Sequence, residues 1–331
     1  MEQRIETKEG VFVVRPYDDG DEAGVLSLWQ AAFGKEISRN LWRWKYLENP
    51  YPVQIALAVG EDGRTLVMYG GIPYRANWEG KTVTITHLMD IMSHPDCRGS
   101  GLFVKTGMAF FDLFAGPDST LFYYGFPGPY HFEIGKKYLE YRDLQGGAAF
   151  LSARPGALAR SMRRWPSGQI ERVTAVDETI DRLWRRSAEH YPLAVARDAA
   201  FFRWRFFEHP LRRYEVWGYR SLFLRDWKAY AVFVIDGNKA RIVDILCPPS
   251  EKVVWGLLAM LGHELEERGI EEMEVWLPQH HFLTRLAASA GFRRSQEPLG
   301  FVPTGRSFHP ELSLDWASRH LYYTMADGDL M

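Results

Sequence analysis

Ser93-His-Pro-Asp-Cys-Arg-Gly-Ser-Gly-Leu-Phe103 stands between a long apolar run, residues 82–92, and an amphipathic run that begins at Leu102. Two glycines at such a junction let successive backbone N–H groups converge on one concavity. The positive end of the following helix adds to it, and together they suit a pyrophosphate. Gly99 and Gly101 permit a close approach that a Cβ would block, and Arg98 adds a cationic donor. An Arg-Gly-x-Gly loop alone is also an ordinary strand-to-helix turn. The flanking sequence has to decide.

Upstream, residues 11–15 are a short apolar strand, and a helix follows from about Asp21. A second helix starts at Ser38, a favoured N-cap residue, and stops by Asn49 because Pro50 disfavours helical geometry before it. Residues 53–59 and 66–76 read as strands joined by Glu61-Asp62-Gly63, a hairpin signal. Residues 82–92 are a third long strand. Downstream come a helix from Leu102 to Phe114, a strand over 121–126 and a helix to about Tyr138. The order βααβββαβαβ implies a mixed sheet with helices on its faces. The loop therefore lies inside a βαβ unit, where phosphate sites form.

The chain also repeats itself. Residues 41–50 read Leu-Trp-Arg-Trp-Lys-Tyr-Leu-Glu-Asn-Pro and residues 201–210 read Phe-Phe-Arg-Trp-Arg-Phe-Phe-Glu-His-Pro. His87-Leu-Met-Asp-Ile-Met92 corresponds to Arg241-Ile-Val-Asp-Ile-Leu246, which aligns Asp90 with Asp244. The stretch ending at Pro127 corresponds to the one ending at Pro278, and Leu139-Glu-Tyr-Arg142 to Ala290-Gly-Phe-Arg293. Matched stations in one order identify an internal duplication. Arg164-Trp-Pro-Ser-Gly168 reads as the linker, giving domains over residues 1–165 and 166–331.

With the loop, the opening Val14-Arg-Pro-Tyr-Asp-Asp-Gly-Asp-Glu22 and the helix ending Leu139-Glu140-Tyr141 in view, the chain resembles the GNAT superfamily of N-acetyltransferases. The acetyl-coenzyme-A loop of that superfamily has the form [Q/R]-x-x-G-x-[G/A], and its fourth helix ends on L-G-[F/Y]. The resemblance covers residues 11–150 directly and 170–303 through the repeat. The tandem layout is similar to mycothiol synthase and Eis-like acetyltransferases. Phe103 departs from the pattern, standing where the family has Gly or Ala. The resemblance implies an α/β (α+β) chain of two tandem GNAT-like domains, each a mixed, mostly antiparallel sheet. It implies acetyl-CoA, or another short acyl-CoA, as cofactor. Ile91, Met92 and Ser93 would meet its pantetheine, and Arg98, Gly99, Ser100, Gly101, Leu102 and Phe103 its pyrophosphate. After Pro248 the second copy has no glycine until Gly256 and places Glu251 in the loop. One donor is therefore expected, in the first half.

Direct attack of a neutral amine on a thioester, the reaction the resemblance implies, needs a base, a proton or hydrogen bond for the leaving thiolate, and donors for the oxyanion. Asp90 stands where such enzymes often carry the base. Its match to Asp244 in the copy without a loop points equally to a structural part. His87 and His131 are alternative bases. The family's usual acid, a Tyr, falls on Lys136. Tyr138 is nominated in its place, with Tyr123, Tyr124 and Tyr130 in range. Trp42, Arg43 and Trp44 recur or have counterparts in the second half and so read as packing.

Composition bounds the rest. The chain has 331 residues, a formal net charge of −2 and two cysteines, which disfavours a nucleic-acid partner and a disulfide framework. No apolar run approaches the about 20 residues of a membrane span, and no signal peptide is read, so a cytoplasmic protein is expected. His280-His281 lacks further ligands, so no metal is expected. Two function classes stay open: an N-acyltransferase acting on a primary amine of a small molecule or peptide, and a non-catalytic acyl-CoA-binding sensor or scaffold.

Overall fold

In the computed structural model, which describes residues 2–8, 10–161, 168–222, 226–296 and 300–328, the chain opens on antiparallel strands β1 (Gln3–Thr7) and β2 (Gly10–Pro16). A capping box of Asp18 and Asp21 leads into α1 (Glu22–Phe33). Ser38 caps α2 (Arg39–Tyr46), its hydroxyl accepting from the Leu41 N–H. Strands β3 (Gln54–Gly60), β4 (Thr65–Trp78) and β5 (Lys81–Leu88) form a meander. After it come β6 (Met92–Ser93), α3 (Leu102–Phe114), β7 (Thr120–Gly125), α4 (Pro129–Tyr138), β8 (Arg142–Asp143), β9 (Ala148–Ala153) and α5 (Pro155–Ser161). Residues 82–92, expected as one strand, form two. Asp90 takes a left-handed φ of 51° and turns the chain out of the ladder after Leu88.

The second half repeats this order. It runs β10 (Gly168–Arg172), α6 (Glu178–Ser187), β11 (Leu193–Val195), α7 (Ala199–Phe202) with a π-helical continuation, β12 (Glu215–Ser221), β13 (Trp227–Asp236) and β14 (Lys239–Leu246). Next come α8 (Glu251–Glu267), β15 (Glu272–Pro278), α9 (Phe282–Ala290), β16 (Arg293–Arg294), β17 (Thr304–Ser307), α10 (Leu314–His320) and β18 (Leu321–Tyr322). The repeated Trp-containing blocks are α2 and α7 with its continuation. Trp44 and Trp204 are both buried, which fits the packing part expected of them.

One sheet runs β1-β2-β3-β4-β5-β7-β17-β8 and the other β10-β12-β13-β14-β15-β9-β16. Along both, neighbours are mostly antiparallel, with parallel pairs at β5–β7 and β14–β15. From β2 onward the first order matches the second position by position once β9 and β17 are recognised as exchanged: β9, from the first half, completes the second sheet, and β17 returns to the first. Contacts accordingly divide the chain into a unit of Met1–Arg75, Val83–Leu144 and Phe301–Leu314 and a unit of Ala76–Thr82, Gln145–Gly300 and Asp315–Met331. This division differs from a single cut between residues 165 and 166, because β9 of the first half and β17 of the second each pair in the other half's sheet. The expected linker lies, but for Gly168, outside the described residues.

In the first unit α3 covers the sheet with Leu102, Phe110 and Phe111 against Tyr69 and Tyr123, and the Tyr69 and Tyr141 hydroxyls share a hydrogen bond. Full burial of each large ring is worth roughly 1.5–3 kcal/mol. This core fixes the start of α3, and with it the loop before it.

Candidate active site

β5 pairs with β7 from Thr84 to His87, whereas β6 pairs with β4 through Met92 and Ser93. The strands therefore part beyond His87. A cleft of about 560 Å³ opens there, within the usual range for small-molecule sites. β6, with α1 packed on it, supplies one wall: Ile91, Met92, Ser93, Ala32 and Phe33. The loop supplies Arg98, Gly99 and Phe103, and α4 supplies Tyr130, His131 and Ile134.

The loop is held from within. Ser100 Oγ donates to the Cys97 carbonyl at 2.7 Å and accepts from the Leu102 N–H at 3.1 Å. Gly99 and Gly101 have φ of 84° and 82°, values that side chains rarely adopt, and open space lies where a Cβ would stand. Arg98 Nη2 donates to the Ala32 carbonyl at 3.2 Å. Of the predicted donor-binding residues, Ile91, Met92, Ser93, Arg98, Gly99 and Phe103 line the cleft. Ser100 braces the loop, Gly101 is the N-cap of α3, and Leu102 anchors the helix in the core. Arg98 is the single full charge in the lining and no carboxylate stands among the lining residues. Left-handed glycines, a helix start and an arginine fit a bound pyrophosphate. The Phe103 ring, where the family pattern has a small residue, packs edge-on against His131 at 5.3 Å and near Tyr69 at 5.9 Å. Burial pushes the Cys97 thiol above its ordinary pKa, and its Sγ donates to the His94 carbonyl at 3.2 Å.

The candidate proton-transfer groups fare differently. Asp90 stands beside Ile91 at the cleft, but its carboxylate is 4% exposed and accepts from Lys45 Nζ at 2.6 Å and the Tyr46 hydroxyl at 2.8 Å. Tyr138 does not line the cleft; it ends α4, 47% exposed, with Lys137 Nζ over its ring. His87 is buried and stacked on Tyr124 at 5.1 Å. His131 does line the cleft, and burial pushes it down to about 4, so it is a neutral imidazole at pH 7. Sequence reasoning missed Phe33 and the Lys45–Tyr46 contact with Asp90. Both residues of that pair lie in the repeated block, whose repetition pointed to packing.

In the second unit the corresponding strand edge is already occupied. The Tyr322 hydroxyl donates to the Ile245 carbonyl, and the Tyr191 hydroxyl donates to the Cys247 carbonyl at 2.7 Å. Asp244 accepts from Arg197, from the Tyr230 hydroxyl at 2.7 Å and from Thr324 Oγ at 2.8 Å. Among the described residues from 247 to 256 none has a left-handed backbone, and the Trp255 indole N–H donates to Ser289 Oγ at 3.1 Å, tying α8 to α9. Among the described residues no cluster of three His, Cys, Asp or Glu side chains suits a metal ion, and no helix is long and apolar enough to cross a membrane.

Parted central strands with a glycine loop and helix start at the gap, in a sheet that recurs in tandem, define the fold class of the GNAT acetyltransferases. Residues 13–111 match the family described as the acetyltransferase (GNAT) domain, a family whose general reaction is acyl-CoA-dependent N-acyl transfer. Three solved structures extend the likeness in fold to about nine-tenths of the chain. A probable N-acyltransferase from Enterococcus faecalis is similar at a TM-score of 0.69 and 14% identity, over 93% of this chain and 74% of that one. A GCN5-related N-acetyltransferase from Anabaena variabilis gives 0.66 and 12%, over 90% and 73%. A tandem GNAT protein from the clavulanic acid biosynthesis pathway gives 0.55 and 12%, over 90% and 99%. At these identities the likeness is one of fold. Among the curated proteins none matches this sequence.

Proposed function

We propose that the protein transfers a short acyl group, acetyl foremost, from acyl-CoA directly to a primary amine of a small molecule or peptide, using one donor site per chain. The observation that carries this reading is the cleft of the first unit, where the parted strand, the left-handed glycines and Arg98 meet. Bound there, the coenzyme supplies an acyl thioester open to attack by an amine. The loop N–H groups and Arg98 hold its pyrophosphate, and the β6 edge at Ile91–Ser93 aligns the arm. The turn at Asp90 leaves the Ile91 peptide outside the β4–β6 pairing, where its N–H can serve a developing oxyanion. The Lys45–Asp90–Tyr46 cluster supports a positioning part for Asp90, fixing that turn. Water then takes the proton that the attacking nitrogen loses and supplies one to the leaving thiolate. The occupied edge and Trp255–Ser289 contact in the second unit support a single donor.

The same cluster, with Tyr138 away from the cleft, favours a second reading: an acyl-CoA-binding module without turnover. Calorimetry with acetyl-CoA and a thiol-release assay over a broad amine panel separate the two. One site per chain, affinity weakened about 10–100-fold in Arg98→Glu and thiol release with at least one amine are expected. Binding without turnover across the panel would favour the module, and two sites or none would overturn the donor assignment.

A further inference from the structure

Two aromatic side chains on the cleft are left exposed by the fold: Phe33 at 46% and Tyr130 at 83%. They come from different walls. Phe33 ends α1, the helix that packs on β6, and its ring is backed by Trp29 at 4.8 Å. Tyr130 is in the first turn of α4, directly after Pro129, whose fixed φ sets the helix start. Leaving large rings in water forgoes roughly 25 cal/mol for each Å² of apolar surface. Exposed aromatics at the mouth of a cleft are contact surface for whatever enters.

Charge in the cleft is confined to the loop, at Arg98; the rest of the lining is uncharged, with polar groups at Ser93 and His131 and apolar side chains at Ile91, Met92 and Ile134 beside the two rings. A ligand matched to this distribution has its anionic part at the loop and an uncharged arm along β6. That arm, in an acyl-CoA, is the pantetheine: a chain of methylenes, a dimethyl-bearing carbon and two amides. We propose that Phe33 and Tyr130 form an aromatic clamp that closes on the pantetheine arm of the acyl donor, determining donor affinity from outside the phosphate loop. The inference rests on the acyl-CoA reading above.

The test is calorimetry, or displacement of bound ligand, on the intact chain with three probes: acetyl-CoA, S-acetylpantetheine and 3′-phospho-ADP. Tyr130→Ala and Phe33→Ala each weaken acetyl-CoA about tenfold. They weaken S-acetylpantetheine by the same factor and leave 3′-phospho-ADP unchanged. Tyr130→Phe keeps wild-type affinity, because the contact is made by the ring. Tyr130→Ala keeps the wild-type melting temperature, since its ring is exposed, whereas Phe33→Ala loses the contact with Trp29 and lowers it slightly. Unchanged acetyl-CoA affinity in both Ala variants overturns the clamp and leaves the acyl-CoA reading standing. So does a loss shared with 3′-phospho-ADP and absent for S-acetylpantetheine, which would move the rings to the nucleotide. A wild-type protein that binds none of the three probes overturns the acyl-CoA reading, and the clamp with it.

Discussion

Asp90 combines a left-handed backbone at φ 51° with a carboxylate enclosed by Lys45 and Tyr46. Asp is among the few side chains that tolerate that backbone region. Asp244, at the same station of the repeat, is likewise buried against a cation and a tyrosine, Arg197 and Tyr230. A carboxylate whose lone pairs already serve an ammonium and a phenol is a poor acceptor for a substrate proton. Removing one partner of a buried pair costs about 3–5 kcal/mol. Asp90→Asn and Asp244→Asn are therefore both expected to lower the denaturant midpoint by amounts of that order, while turnover in Asp90→Asn falls less than about 100-fold. A loss of about 10²–10⁴-fold in turnover at unchanged stability would instead make Asp90 the base. The common station was legible in the repeat. The partners were not, because Arg197 and Thr324 belong to segments outside every matched station, and Lys45 lies in the block that repetition marked as packing.

Helix α3 runs from Leu102 to Phe114 as its sequence predicts, because a glycine pair and an apolar stripe leave little choice of start. The strand before it broke that rule. His87-Leu-Met-Asp-Ile-Met92 reads as one apolar strand, and the low strand propensity of a single Asp is too weak a signal to mark the left-handed turn at Asp90 that opens the cleft. Helix α4 carries the other surprise, His131, which burial against Phe103 pushes down to about 4. The unfolded chain titrates its histidines near 6.5. Below that pH the unfolded state binds a proton that the native state refuses, so His131 contributes a loss of stability as pH falls from about 6.5 through about 4. His281, held down to about 3 by burial in the second unit, adds a loss of the same sign. Denaturant midpoints between pH 7 and pH 4.5 are expected to fall less steeply for His131→Gln than for the wild type. Equal slopes would mean that His131 protonates freely in the folded protein.

The duplication was legible along the whole chain, yet the pairing of its last strands was not. Ala148–Ala153 and Thr304–Ser307 carry no pattern that says which of two similar sheets each joins, since strand propensity describes a strand and not its neighbour. The pairings are nonetheless specific. β9 aligns with β15 from Ala148 opposite Pro278 to Ala153 opposite Met273, and β17 aligns with β7 from Thr304 opposite Gly125 to Ser307 opposite Phe122. A chain stopped at residue 165 would thus lack the strand between β7 and β8, leaving two open edges, and would carry β9 without its sheet. Such edges pair with other molecules. Residues 1–165 made alone are expected to aggregate or unfold without cooperativity. Made together with residues 166–331 they should give a soluble pair, and a protease cut introduced in the intact chain at residues 164–168 should leave both pieces together on a sizing column until denaturant is added. Cooperative unfolding of a monomeric 1–165 fragment would refute the exchange. It would mean that the first half closes its own sheet, with β9 taking the place that β17 holds in the intact chain.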